Sequence, residues 1–142
     1  MLKETDIHAS DAKTVAKVFQ DLLAVADAVD RDKEHTYVMH LDSRNKVKLV
    51  ELVAIGTINA AMLHPRETFR RAVMEGSVSI IVGHNHPSSD VTPSEPDVAV
   101  TRKLFEAGQI LGIQLLDHII FSKDRYFSMK ENNEVEEVMN NG

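Results

Sequence analysis

Two histidines and an aspartate stand at a spacing that suits a metal ion: His84-Asn85-His86-Pro87, and then Asp97 after ten intervening residues. On extended backbone, residues two apart point the same way, so His84 and His86 can aim both imidazoles at one point. Ser94 followed three residues later by Asp97 has the form of a helix capping box. The loop after His86 therefore turns back into a helix whose first turn carries Asp97. Two imidazole nitrogens and a carboxylate oxygen are a ligand set used for catalytic zinc, with the fourth position left to water. Imidazole favours zinc over magnesium or calcium. Two loop histidines beside a proline, with an ordinary capping box, would account for the same residues, because short motifs match by chance.

A hydrolase built on such a metal also needs a group that takes a proton from water and passes it to the leaving amine. Glu51 is the candidate. It lies in the apolar run Val47-Lys48-Leu49-Val50-Glu51-Leu52-Val53-Ala54-Ile55. A carboxylate on an apolar face is costly unless something pairs with it, and partial burial tunes it for proton transfer. Both parity sets of this run are largely apolar, so periodicity does not settle its face. A partly exposed edge-strand position is the alternative.

The elements that must position these groups follow from periodicity. Ser10 and Asp11 suit a helix start, and Val15, Val18, Phe19, Leu22, Ala26 and Val29 recur at helical spacing over residues 11–29. Residues 36–41 and 46–55 read as a hairpin around the turn Asp42-Ser43-Arg44-Asn45, with a bend from Gly56 through Asn59. Residues 65–75 read as a short helix with Pro65 at its start and Gly76 past its end. Residues 77–82 form a buried β-branched strand that empties into a loop carrying both histidines. Ser94 caps the next helix and Gly112 stops it. Residues 113–121 and 126–128 are strands around the turn Ser122-Lys123-Asp124. Helices interleaved with strands predict an α/β (α+β) fold, a mixed sheet flanked by helices.

The chain has 142 residues, no cysteine and a net charge of −6. That length suits one domain, placed at residues 1–130 and followed by an acidic tail, 131–142, read as frayed helix or disordered. The absence of cysteine excludes disulfides, thiolate ligands and a cysteine nucleophile, and it fits a reducing, cytoplasmic setting. Residues 1–6 lack a secretory apolar core, so the start reads as mature protein, and no stretch reaches the roughly 20 apolar residues of a membrane span. The acidic balance argues against a DNA-coating surface.

With these residues set out, the pattern His84-x-His86-Pro87 with Ser94-x-x-Asp97 resembles the JAMM (MPN+) metalloprotease motif. Gly56-Thr57-Ile58-Asn59, His64-Pro65-Arg66-Glu67, Gly83-His84-Asn85-His86-Pro87-Ser88, Glu106-Ala107-Gly108 and Leu116-Asp117-His118 resemble the bacterial RadC family, over about residues 8–130. The resemblance implies a cytidine-deaminase-like JAB/MPN fold and zinc held by His84, His86 and Asp97. It implies Glu51 as general acid/base, matched by position, and Ser94 as a donor to the tetrahedral oxyanion. Relatives outside RadC cleave peptide or isopeptide bonds, so amide-bond hydrolysis is the expected activity, while the resemblance does not supply a substrate for RadC itself. Many RadC proteins carry an N-terminal helix-hairpin-helix region, whereas this chain starts almost at the metalloprotease-like domain, which weakens a link to DNA.

Two rival readings stand beside the hydrolase. One is a non-catalytic MPN-type binding module. The other is a DNA-associated role through Arg66, Arg70 and Arg71, whose simpler reading is a solvated face paired with neighbouring acids. A zinc deaminase is disfavoured, since that pattern needs cysteines and a glutamate two residues after the first ligand. His118 reads as an outer partner of the metal or as a satisfied core histidine. His64 reads as a loop residue. His8, His35 and His40 read as surface or strand residues, Asp90 as turn chemistry, and Phe69 and Phe105 as core. The substrate and the oligomeric state are left open.

Overall fold

Asp11 starts the first helix, its side chain accepting from Thr14 N at 2.7 Å. The structure is a computed structural model that describes residues 7–26, 32–56 and 63–132. Its elements are α1 (Ala12–Ala24), β1 (His35–Leu41), β2 (Val47–Ile55), α2 (Pro65–Glu75), β3 (Ser79–Asn85), α3 (Glu95–Leu111), β4 (Gln114–Phe121) and β5 (Tyr126–Ser128). The expected end of α1 at residue 29, the bend at residues 57–59 and most of the acidic tail lie outside the described residues.

The five strands form one mixed sheet in the order β2-β1-β3-β4-β5. Only β3 and β4 run parallel, and α3 makes the crossover between them. On one face α1 packs Val15 and Phe19 against Tyr37, Ile81 and Phe121. On the other, α2 and α3 pack Phe69, Leu104 and Phe105 against Val38, Val82 and Ile120. The expected mixed sheet flanked by helices is the observed architecture, consistent with a JAB/MPN domain. Among the described residues, no helix is long and apolar enough to cross a membrane.

One boundary differs from the sequence reading in a way that matters for chemistry. The strand expected to stop at Val82 continues to Asn85, so His84 is a strand residue. Strands flank β3 on both sides and hold its end in register. Gly83 lies opposite Tyr37 and Ile119, and His84 lies opposite Thr36 and Ile120. α1 also presses on Gly83, where a Cβ would stand 2.4 Å from the Phe19 ring.

His40, in the middle of β1, is fully buried with Nδ1 3.2 Å from Ser77 Oγ. Burial, reinforced by the charges of Arg71 and Lys48, pushes its pKa down to about 4. The unfolded chain, with histidine near 6.5, then binds more protons than the folded one between those values. Stability is therefore expected to fall as pH drops from about 6.5 to about 4, by about 3 kcal/mol from this group. Urea unfolding at pH 7 and pH 4 measures the loss, which should shrink in His40→Phe.

Candidate metal centre

The end of β3, the loop after it and the first turn of α3 each deliver one ligand candidate. His84 Nε2, His86 Nε2 and the Asp97 carboxylate converge, with all three ligand atoms within 4.8 Å of one another. His84 Nε2 stands 3.1 Å from His86 Nε2 and 3.1 Å from Asp97 Oδ1, and His86 Nε2 stands 3.2 Å from Asp97 Oδ2. Donors about 2.0–2.1 Å from a tetrahedral zinc lie about 3.3–3.4 Å from one another, so these separations are close to those of a metal's coordination edges.

The surrounding hydrogen bonds decide which ring nitrogens carry hydrogen. A carbonyl oxygen only accepts, so the Thr101 hydroxyl donates to Asp97 O at 2.7 Å, with the weaker acceptor Met129 Sδ 3.3 Å away. Thr101 Oγ1 then accepts from His118 Nδ1 at 2.6 Å. Burial pushes the His118 pKa down to about 3, so this ring is neutral and, with its hydrogen on Nδ1, its Nε2 carries none. His118 Nε2 therefore accepts from His84 Nδ1 at 2.8 Å, and His84 turns Nε2 toward Asp97. His86 reaches the same state by donating Nδ1–H to the Asp90 carbonyl at 2.9 Å. Both imidazoles thus engage Nδ1 with an outer partner and turn Nε2 to the ligand group, the orientation in which a ring could bind a metal through Nε2.

Asp97 Oδ2 accepts from Ser94 N at 2.8 Å, while buried Oδ1 has no hydrogen-bond donor. Burial opposes its ionisation, but the contacts with His84, His86 and Ser94 N outweigh burial and hold the carboxyl well below the usual range. An ionised carboxylate with an undonated buried oxygen, facing two imidazole Nε2 atoms, is a group that could hold a metal ion. Two nitrogens and one oxygen fit zinc.

His118→Leu is expected to keep the buried volume but leave His84 Nδ1–H without an acceptor. Metal affinity should fall about 10–100-fold, as losses of such outer partners do. Competition titration against a chelator measures it.

Ser94 forms the expected capping box: its Oγ accepts from Asp97 N at 3.2 Å. Because Oγ accepts there, its own hydrogen remains to donate, and Ser94 is exposed. Glu51 lies opposite Val38, and Val38 lies opposite Val82, so Glu51 rises from the same sheet face as His84. Its carboxyl does not join the ligand group. Oε2 is 3.5 Å from Arg71 Nε and Oε1 is 3.7 Å from His40 Nε2. Burial pushes its pKa up, against the pull of Arg71.

The remaining side chains are accounted for more simply. His64 caps α2, its Nδ1 accepting from Arg66 N at 3.0 Å. Asp90 Oδ1 accepts from Thr92 N at 2.9 Å as turn chemistry. Arg66 and Arg70 both contact Glu67, and Arg71 contacts Glu51 and Glu75. Sequence reasoning missed Thr101 and the Asp90 carbonyl. Thr101 stands four residues after Asp97 on the helix, the one signal that could have placed it beside the ligand.

The chain is similar to known proteins over most of its length. A family model described as a RadC-like JAB domain matches residues 9–134. A UPF0758 protein of Methanococcoides burtonii is 42% identical over 133 residues, covering 92% of this chain and 58% of that one. A UPF0758 protein of Chlorobium chlorochromatii is 49% identical over 102 residues, covering 72% of this chain and 46% of that one. One of Pelodictyon phaeoclathratiforme is 50% identical over the same length, with the same shares. The chain thus spans about half the length of the curated relatives it matches.

Proposed function

This chain belongs to the RadC-like JAB domain family, and from that premise we propose that it is a zinc-dependent hydrolase that cleaves an amide bond in a peptide or isopeptide substrate. One observation carries the reading: His84 Nε2, His86 Nε2 and Asp97 converge, with the Nδ1 atom of each imidazole held by an outer partner. His84, His86 and Asp97 would hold the ion. Zinc, when bound, supplies a Lewis acid and lowers the pKa of a water toward about 7.

The chain's own residues supply the rest. Glu51, raised in pKa by burial, takes the water's proton and delivers it to the leaving nitrogen. Ser94 donates its free hydroxyl hydrogen to the oxyanion, a type of contact worth about 2.7–4 kcal/mol. His118 and Thr101 hold His84 in its tautomer and move no proton. Metal analysis of the purified chain, with a panel of peptide and isopeptide substrates run with and without chelator, tests the reading. Stoichiometric zinc with chelator-sensitive cleavage supports it; a chain that takes up no zinc sinks it.

A second reading, a metal-holding binding module without turnover, draws on one observation: the Glu51 carboxyl is turned to Arg71 and His40. The same panel separates the two, since a module binds zinc and cleaves nothing.

A further inference from the structure

The two strands beside β3 do not hold its last residues alike. Pairing with β1 ends at Thr36 opposite His84, while pairing with β4 runs on to Asn85 opposite Phe121. His86 keeps a backbone bond on the β4 side, from its N to Phe121 O at 2.9 Å. On the β1 side, the tie past Thr36 is made by a side chain. Asn85 Oδ1 accepts from His35 N at 2.5 Å, and Asn85 Nδ2 donates to Lys33 O at 3.2 Å. Asn85 and His35 are both buried, so water does not compete for the first of these bonds.

This tie needs a donor and an acceptor on one short side chain, and the primary amide of asparagine supplies both. The segment it grips is fixed by other bonds as well. Glu34 O accepts from Gly56 N at 2.7 Å, which anchors the segment to the end of β2. Lys33 O also accepts from His35 Nδ1 at 2.8 Å. Asn85 therefore braces the step between His84 and His86 against backbone that is already held. The same segment brings charge to the site, since Glu34 acts on His86 and favours its protonated ring.

We infer that Asn85 is a positioning residue of the metal centre: its amide clamps residues 33–35 to the step between His84 and His86, fixes the separation of the two Nε2 atoms, and keeps Glu34 within reach of His86. Asn85 lines a cleft with Gln20 and Leu23 of α1, on the sheet face away from α3, so it acts through the backbone and is not itself a ligand. The inference rests on the metal site of the hydrolase reading and adds a requirement to it, an amide between the two histidines.

Cobalt(II), whose visible absorption follows its coordination geometry, tests this in Asn85→Ala. Cobalt should bind about 10–100-fold more weakly, the range for losing an outer partner of a metal site. Its visible band should change shape, because the two imidazoles are no longer held at one separation. Circular dichroism should be unchanged, since Gly56 and the His35 ring still hold the segment. Ile81→Ala, a buried truncation on the same strand, controls for lost stability. It should lower the urea midpoint of the metal-free chain and leave cobalt affinity and band as in the wild type. If Asn85→Ala does not fold, Asn85→Asp decides. It keeps the shape and the acceptor for His35 N and loses the donor to Lys33 O, and its added negative charge cannot explain weaker cobalt binding. Wild-type cobalt affinity and band shape in the Asn85 variant that folds, or equal losses in Ile81→Ala, overturn the inference and leave the hydrolase reading standing. A wild-type chain that takes up no cobalt overturns both.

Discussion

Asp97→Asn is expected to bind zinc at least about a hundredfold more weakly than the wild-type chain, beyond the range that losing an outer partner costs. The variant separates the two jobs of this residue. As the acid of the capping box it accepts from Ser94 N, and an asparagine oxygen accepts there equally. As the proposed ligand it would supply negative charge between two imidazoles, 3.1 Å from His84 Nε2 and 3.2 Å from His86 Nε2, and an amide would supply none. Helix α3 should therefore persist while the metal is lost. Circular dichroism reports the helix, and zinc content after dialysis against a weak chelator reports the site. A variant that keeps zinc at wild-type affinity would mean that the carboxylate serves only as a cap.

Glu51→Gln is expected to do the opposite, keeping zinc at wild-type affinity and lowering turnover about 100- to 10,000-fold, the range for a group that carries a proton in the transition state. The amide has nearly the same volume and sits outside the ligand group, so neither packing nor the metal site should change. What it loses is the ability to take a proton and return it. Rates on whichever peptide the wild-type chain cuts, with zinc content measured on the same samples, decide it. Equal rates in both proteins would remove Glu51 from the mechanism.

The parts of the fold written in local chemistry were legible in the sequence. Pro65 and Gly76 bound α2 in the expected places, and Ser94 and Gly112 bound α3, because caps and breakers act within a turn of the helix. The convergence of His84, His86 and Asp97 was legible for a similar reason: a two-residue step on extended backbone and an acid in a helix's first turn are short-range geometry. What was hidden depends on partners far along the chain. His84 reads as a loop residue until β1 and β4 close on either side of it. His118 reads equally as core or as an outer partner until the fold places it 2.8 Å from His84, and it is in fact both buried and linked. The face of Glu51 was unreadable because both parities of its strand are apolar. The β1–β2 register also shifts between Thr36 and Tyr37, and no period of two anticipates that.

The most direct measurement is a crystal structure of the chain soaked in zinc, with anomalous data at the zinc edge. One peak per chain is expected, bonded to His84 Nε2, His86 Nε2 and an Asp97 oxygen at about 2.0–2.1 Å. A zinc ion held through other atoms, or a chain with no peak between those three residues at saturating zinc, would contradict it.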